Sequence, residues 1–485
     1  MDRPAGVLSR PLLPASIAIY TTVALVAFEG LAVAAALPQI AAELGRVSLL
    51  PWVITGYLFT SGVATVVAGP LVDGIGVRTM FRYAVAVFAL AGFAAAFVPS
   101  MPLMVAARIV QGAGGGLIFA VGLAAVGLVY PAHLVSRAYA ANSTVWGVMA
   151  VAGPAIAAVM LTVLSWRWIF LVNLPLGILS LIAGWRVLPG ARTAGTTRRV
   201  DLAGTALVTT FTLAILLAVD GLGPASMAWV ALAAGAAVAY RAHARRSVAP
   251  VLRLAHLVAQ PYSSLALTVG LLLCGAVTAH SYLPLYVQGG RGGSPALTAW
   301  SVLFFTIGWT LGANASGRAL DRKPETGIMA VGLALTVPAL AGVWAAAALD
   351  APLWVLFGLY LVAGLGVGAA TNAALTLLRA VTSDDQLGRS TAAHQFVRNQ
   401  GFTLGAAAGG AVLLLVVGNA IRDVEQVRDL LAGDVGEVGA TAAAAIADGF
   451  TGAALVGALV AAASVPAMVA LRRHLGPARA ARRSD

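Results

Sequence analysis

The strongest constraint on this chain is a series of long apolar segments that recurs from one end of the sequence to the other. Each approaches the roughly 20 residues that a helix needs to cross a bilayer. Only 10% of the residues are charged and 60% are hydrophobic, whereas soluble domains contain about 25% charged residues. Fourteen segments fit, near 15–37, 50–70, 81–98, 102–127, 141–163, 167–188, 201–219, 225–240, 263–285, 296–316, 327–348, 352–378, 396–418 and 450–471. The pattern predicts an all-α integral membrane protein with 14 transmembrane helices.

The basic residues predict the orientation of these helices, because cytoplasmic loops of membrane proteins are enriched in Lys and Arg. With the N-terminus in the cytoplasm, 24 of the 30 basic residues fall in cytoplasmic segments, five fall in outer segments and Arg108 lies inside a helix. We therefore expect both termini on the cytoplasmic side of the cell membrane. This topology accounts for the net charge of +12, so no nucleic-acid partner is expected.

An internal repeat relates the first six helices to the last six. The matched positions, 248 to 252 residues apart, are Asp73 with Asp321, Gly112 with Gly364, Gly114 with Gly366, Gly116 with Gly368, and Gly153 with Gly405. We predict an N-terminal six-helix bundle over 1–188, a linker with two extra transmembrane helices over 189–262, and a C-terminal six-helix bundle over 263–485. The last bundle includes a long outer loop at 419–449.

Five strings in the sequence carry a family resemblance. They are FEGLAVAAALP (28–38), GPLVDGIGVR (69–78), RIVQGAGGGL (108–117), GVMAVAGPAIAA (147–158) and SWRWIFLVNLPLG (165–177). These resemble motifs of the major facilitator superfamily, specifically its fourteen-helix drug:proton antiporter branch. The chain departs from the branch pattern at Glu29, where aspartate is usual, and at Gly74 and Val77, where basic residues are usual.

The resemblance implies two six-helix bundles plus two linker helices, and a monomer in the lipid bilayer. It implies export of small amphipathic compounds by alternating access, with the proton gradient as the energy source and no cofactor. Repeats of six helices with a substrate site near the membrane midplane are typical of such transporters. Two alternatives stay open: export of a specific lipid, siderophore or other metabolite, and inward proton symport.

Glu29 and Arg108 are the candidate proton-coupling residues. A carboxylate deep in a membrane helix is energetically costly and usually functional. By helical rise, Glu29 lies roughly 12 Å and Arg108 roughly 9 Å from the outer ends of their helices, so the two side chains are at similar depth. Burial favours a neutral carboxyl and a nearby arginine favours an ionised one, which suits reversible proton uptake. The alternative is a static ion pair that only fixes the helices together.

Two further groups of residues are candidates for a role in conformational change. Asp73 lies at a cytoplasmic helix boundary, where a carboxylate can meet a helix N-terminus or an arginine such as Arg78 or Arg137. The resemblance implies an inter-helix latch there, with Asp321 as its counterpart, and the alternative is a solvated turn aspartate. In the antiporter-motif helix, Gly147, Gly153 and Pro154 suit either bending during gating or close helix packing.

Polar and aromatic side chains in or near the spans are candidates for the substrate cavity, which in drug-binding proteins is mostly apolar with a few polar groups. They are Tyr57, Gln111, Asn142, His280, Trp309 and Asn372. A structural role is an equal alternative for His280. Because Glu29 is the only carboxylate placed deep in a span, neutral or anionic substrates suit the chain at least as well as cations.

Several other classes of function are not expected. The sequence has no GxxxxGK[ST] loop, so ATP is not expected to drive transport directly. The spans carry no nucleophile with a base, no paired carboxylates and no metal cluster, so we expect neither an enzyme nor a metal site. The single cysteine, Cys274, excludes an intrachain disulfide.

Overall fold

The structure, a computed structural model, describes residues 6–46, 49–190, 201–220, 224–420 and 440–481. All regular secondary structure in these ranges is helical. Eleven of the helices there are long and apolar enough to cross a membrane. The prediction of an all-α membrane protein is therefore confirmed. The count of fourteen stays a prediction, because the eleven concern the described ranges alone.

The helices of the first half have the following bounds: α1 Leu13–Leu44, α2 Leu50–Ile75, α3 Val77–Ala95, α4 Met101–Val129, α5 Ala132–Val163, α6 Arg167–Leu171 and α7 Asn173–Gly184. Gly76 alone separates α2 from α3, and its φ of 85° is a conformation that glycine adopts without strain. The loop motif is therefore largely helical.

The later helices have the following bounds: α8 Leu202–Asp220, α9 Pro224–Arg246, α10 Ala255–Val258, α11 Tyr262–His280, α12 Leu283–Leu285, α13 Pro295–Ala319, α14 Glu325–Ala348, α15 Leu353–Val381, α16 Leu387–Ala420, α17 Ala440–Ala462 and α18 Ser464–Ala481. A π-helical turn, Tyr286–Gly290, follows α12. Most of the predicted outer loop 419–449 lies outside the described residues, and its last ten residues belong to α17.

The predicted start of the thirteenth apolar run near 396 is wrong by about two and a half turns, since α16 begins at Leu387. The cause is a polar stretch, including His394 and Gln395, that lowers the hydropathy of residues that are nevertheless buried. Arg389 and Arg398 therefore lie inside this helix and not in a cytoplasmic loop.

The chain packs as two compact units. The first comprises Met1–Thr212, Ala236–Ala259 and Leu375–Phe396. One apolar core lies among α1, α2, α3, α4 and α5, with α7 packed against it, and contains Phe81, Phe88 and Tyr139. A second core near the opposite helix ends contains Trp166 and Phe170. The start of α16 packs in this unit, although the repeat assigns it to the second bundle.

The second unit comprises Leu213–Gly235, Gln260–Ala374 and Val397–Asp485. In it, α11 packs against α17 and α18, and α14 also packs against α17. Tyr286 stacks on Phe450 at a ring-centroid distance of 4.2 Å. An apolar cluster around Leu413 and Ile446 joins α16 to α17.

The glycine triplets of the repeat make equivalent contacts in the two units. In the first, a Cβ on the triplet would collide with helix α2 at Gly112 (Tyr57) and Gly116 (Ser61), and with α3 at Gly114 (Phe88). In the second, it would collide with α13 at Gly364 (Phe305) and Gly368 (Trp309), and with α14 at Gly366 (Gly332). Small residues allow this backbone approach in membrane helices, so the triplets set the packing of α4 and α15.

Candidate functional site

The first unit contains a buried ion pair between two of its helices. The Glu29 side chain in α1 is 0% exposed, and Arg108 in α4 is 1% exposed. Nη1 of Arg108 donates to Oε1 of Glu29. The structure therefore brings together the two residues predicted to lie at similar depth. Their role in proton coupling stays a prediction.

The second oxygen of Glu29 is also fully engaged. Its Oε2 accepts hydrogen bonds from Nε2 of Gln111 and Nδ2 of Asn173, both at 2.7 Å. Gln111 in turn accepts from Nη1 of Arg108 through its Oε1 at 2.8 Å. We call Glu29, Arg108, Gln111 and Asn173 the carboxylate cluster. Three donors from α4 and α7 converge on one buried carboxylate, an arrangement that stabilises its ionised form.

The arginine of this cluster is fixed from several directions. Its Nε donates to the backbone oxygen of Val53 at 3.1 Å. Its guanidinium carbon lies 4.1 Å from the ring centre of Tyr57 and 5.8 Å from that of Phe170. Both distances are within the range of cation–π attraction. Tyr57 and Gln111, predicted as cavity wall residues, therefore belong to the surroundings of Glu29.

Gly92 in α3 makes room for the two amides of the cluster. A Cβ at this position would lie 2.7 Å from Nε2 of Gln111 and 3.1 Å from Nδ2 of Asn173. A side chain there would displace both donors to Glu29. Sequence reasoning missed both Gly92 and Asn173. The signal for Asn173 was its position as the polar residue in the otherwise apolar part, 168–177, of the branch-specific string 165–177.

Two buried polar atoms, one in the cluster and one beside it, have no hydrogen-bond partner among the described residues. They are the hydroxyl oxygen of Tyr57 and Oδ1 of Asn173. Most buried polar atoms in folded proteins are paired. The cluster therefore has spare hydrogen-bonding capacity beside Glu29, which is chemically suited to a second arrangement in which the carboxyl carries a proton.

A second polar site lies where α2 meets the start of α16. The carboxylate of Asp73 accepts from the backbone N–H of Gly388 at 2.8 Å and from that of Arg389 at 3.1 Å. Nη1 of Arg389 lies 3.7 Å from Oδ2 of Asp73, and both side chains are nearly buried. A Cβ on Gly388 would collide with this carboxylate and with Gly69. Asp73 therefore meets both kinds of partner considered for it, a helix N-terminus and an arginine, but the arginine is Arg389.

The other predicted latch residues lie elsewhere. Arg78 donates to the backbone oxygens of Leu188 and Arg186, at 2.7 and 2.9 Å, and so binds the chain beyond α7. Arg137 is half-buried in the second turn of α5, and Asp321 is exposed in the turn after α13. The hydrogen bonds of Arg78 thus go to the chain beyond α7, and the share of Arg78, Arg137 and Asp321 in a latch stays a prediction.

The antiporter-motif helix is the long helix α5, which continues through Pro154. Gly153 is buried and Gly147 is half-buried. The helix packs mainly against α1, which carries Glu29. A bend at Pro154 would therefore act on α1, the helix that carries Glu29.

The remaining cavity candidates are distributed over both units. Asn142 is half-buried on α5. His280 ends α11 and lies against Phe305 and Tyr360, at ring-centroid distances of 4.6 and 5.1 Å. Trp309 is half-buried on α13. Asn372 donates to Ser316 at 2.8 Å and to the Ala313 backbone oxygen at 3.2 Å, so its amide joins α15 to α13.

Comparison with known proteins agrees with this architecture. The profile of the Major Facilitator Superfamily matches residues 17–406. The chain is 26% identical over 411 residues to the multidrug transporter protein MdtP of Bacillus subtilis, covering 82% of this chain and 74% of that protein. It is 27% identical over 499 residues to the tetracenomycin C resistance and export protein of Streptomyces glaucescens, covering 98% of this chain and 88% of that protein.

A solved structure has the same fold. It is a bacterial homologue of the iron transporter ferroportin, with a TM-score of 0.61 at 10% identity, covering 94% of this chain and 99% of that chain. This likeness concerns the fold alone. Because the family profile spans most of the sequence, the chain belongs to the major facilitator superfamily, whose members are transporters and not enzymes.

Proposed function

We propose that this chain is a proton-coupled secondary transporter that exports small amphipathic compounds by alternating access. The observation that carries the proposal is the buried carboxylate of Glu29 with its three side-chain donors. Ionisable groups at membrane depth usually belong to ion or substrate pathways. The names of the two curated relatives, a multidrug transporter and a resistance and export protein, support export as the direction.

In the proposed cycle, Glu29 exchanges its proton with water when the surrounding helices open to one side of the membrane. The ionised carboxylate needs Arg108, Gln111 and Asn173 to offset the cost of burying its charge. A proton removes that requirement and weakens the attraction to Arg108. The protonation state therefore alters the contacts among α1, α4 and α7, which is how a proton can bias a conformational equilibrium.

The proposal includes the predicted topology of fourteen helices with both termini in the cytoplasm, in a monomer of the cytoplasmic membrane. Asp73 and the first turn of α16 act as a latch that forms in one conformation and breaks in the other. The helix α5 bends near Pro154. No cofactor takes part, because the proton gradient supplies the energy.

The test is transport in proteoliposomes that contain a pH-sensitive dye. Solute added to one side should drive proton movement across the membrane in the native protein. Glu29→Gln should abolish this proton movement because it removes the titratable group. Glu43→Gln is the matched control, since it makes the same change at the exposed end of the same helix.

Solute-driven proton movement by Glu29→Gln, at the native rate and with the native pH dependence, would overturn the assignment of Glu29. Movement of solute and proton in the same direction would instead establish symport. A panel that includes lipids, siderophores and aromatic antibiotics separates a broad exporter from an exporter of one metabolite.

A further inference from the structure

A second arginine lies deep inside a membrane helix, in the second unit. Arg398 lies eleven residues beyond the start of α16 at Leu387, or roughly 16 Å along the helix axis. It is half-buried. Charged residues at such depth are costly, and they are typical of substrate or ion pathways. The carboxylate cluster of the first unit does not use this residue.

Two aromatic rings flank the Arg398 guanidinium. Its central carbon lies 5.6 Å from the ring centre of Trp309 in α13 and 5.4 Å from that of Phe402 in α16. The two rings are nearly parallel, with an interplanar angle of 7° and centroids 6.2 Å apart. Trp309 and Phe402 are half-buried, like Arg398. These three residues, which we call the Arg398 subsite, combine one positive charge with two flat apolar surfaces.

The aromatic surface continues along α13. Phe305 lies edge-on to Trp309 at 5.8 Å, and its ring also contacts His280 and Tyr360. The Trp309 side of the subsite is therefore attached to a wall of rings. Such a wall provides a flat, largely apolar surface on which another aromatic ring can stack.

The sequence near the subsite carries little negative charge. The helices α11, α13, α15 and α16 contain no Asp or Glu, and the acidic residue of α14, Glu325, is its first residue. The two helices that form the subsite therefore contribute no carboxylate of their own. An anionic ligand group would meet a positive charge on a surface that does not repel it.

We propose that Arg398, Trp309 and Phe402 form a binding subsite for a planar aromatic organic anion, such as a carboxylate or phenolate on a fused ring system. The guanidinium pairs with the anionic group through its fork of N–H donors, and the ligand ring packs on the indole or phenyl face. The proposal rests on the proposed export function and names the substrate class that this unit selects.

The arrangement selects against cations. A cationic aromatic compound could stack on the same rings, but its charge would face Arg398 in a medium of low dielectric constant, where like charges repel strongly. A neutral compound of the same shape would gain the stacking without the ion pair. Three ligands with one ring system and different charges therefore separate the contribution of the charge from that of ring stacking.

The experiment measures binding by equilibrium dialysis with the full chain in lipid nanodiscs, against empty nanodiscs. The probes are anthracene-9-carboxylate, anthracene-9-methanol and 9-(aminomethyl)anthracene. The carboxylate should bind more tightly than the alcohol, and the alcohol more tightly than the amine. Arg398→Gln should weaken carboxylate binding by about 10- to 100-fold, as expected for loss of a charge-assisted hydrogen bond. It should leave the alcohol within about 2-fold.

Arg318→Gln is the matched control, because it removes one positive charge from an exposed position at the end of α13 in the same unit. It should leave the order of the three ligands unchanged. Arg398→Lys keeps the charge and loses the fork, so carboxylate binding should be intermediate. Trp309→Leu should weaken the carboxylate and the alcohol alike, by about 2- to 10-fold.

Equal binding of the three probes to the native protein, or an equal effect of Arg398→Gln on all three, would refute the subsite. If Arg398→Gln does not fold, the effects of Arg398→Lys and Trp309→Leu on carboxylate binding still test the subsite. Binding needs no pH gradient, so its outcome is independent of proton coupling. If the protein binds the carboxylate selectively but moves no proton, the subsite proposal stands and the proposed transport function is refuted.

Discussion

The side-chain amide of Asn173 donates to Oε2 of Glu29 at 2.7 Å, although the two residues are 144 positions apart in sequence. Asn173 is the first residue of α7, and Val172 before it keeps helical dihedral angles and a backbone hydrogen bond to Trp168. The helical register of this segment therefore places the third donor at Glu29.

Asn173→Ala should lower the free energy of unfolding by about 1.5–3 kcal/mol, because a hydrogen bond to a charged group is worth about that much. In a Glu29→Gln background the same substitution should cost only about 0.5–1.5 kcal/mol, since the bond then joins neutral groups. A double-mutant cycle from thermal unfolding in detergent measures the difference. Equal costs in the two backgrounds would show that Glu29 is neutral in the folded protein.

Gly92→Ala should destabilise the protein by about 1–3 kcal/mol, because the added Cβ overlaps the amides of Gln111 and Asn173. It should also reduce proton-coupled transport. Gly62→Ala is the control: it also lies inside a helix but has no atom within 4 Å of the added Cβ. The control should be neutral or slightly stabilising, by up to about 1 kcal/mol. Similar losses in both variants would mean that helix flexibility matters, and not the space beside the amides.

Asp73→Asn should destabilise the protein by about 3–5 kcal/mol, since it removes the carboxylate charge that lies 3.7 Å from the buried guanidinium of Arg389. The control is Asp350→Asn, which makes the same change at a side chain that is 83% exposed. Asn tolerates the positive φ of 49° found there, so the control should stay within about 0.5 kcal/mol. Unfolding temperatures measured side by side check the difference. A small effect at Asp73 would argue against a stabilising contact between its carboxylate and the first turn of α16.

Glu43 provides the prediction on pH. Its two carboxylate oxygens accept from the two Nη atoms of Arg167, and Oε2 also accepts from Nε1 of Trp166, all at 2.7 Å. The hydrogen bonds with Arg167 lower the pKa of Glu43 from 4.5 to about 2. A carboxyl whose pKa is lower in the folded protein contributes stability above the unfolded value, and this contribution disappears as the pH falls through the folded value.

Glu43→Gln should therefore lower the unfolding temperature equally at all pH values above about 5. The gap between variant and native protein should close as the pH falls from about 4.5 towards 2. Because the Glu43 side chain is 48% exposed, solvent screens the pair, and the loss should be no more than about 1 kcal/mol. A gap that persists unchanged at pH 3 would contradict the assigned ionisation.

The sequence predicted the ion pair of Glu29 with Arg108 because both are charges at similar depth in apolar helices. It missed Asn173, since one amide in an apolar string does not show which way the helix faces. The packing of α7 against α1, which directs that amide towards Glu29, has no clear signature in the composition.

The partner of Asp73 was harder to predict, because the polar residues near the start of α16 resemble a loop when hydropathy alone is considered. Gly388 and Arg389 were therefore placed outside the helix whose first N–H groups they provide. The glycine repeat was more informative. The two triplets, which are equally spaced in the sequence, make equivalent backbone contacts in the structure. Such close approach depends on the absence of a side chain.

The hydrogen bonds between Asp73 and the first turn of α16 also have a consequence for synthesis in the cell. The acceptor and its donors are 315 and 316 positions apart, so the ribosome adds most of the protein before the donors exist. Throughout that interval the first helices are in the bilayer with a carboxylate whose native partners have not yet been made. The N-terminal half is therefore expected to stay a substrate for chaperones and membrane proteases until the start of α16 has been translated.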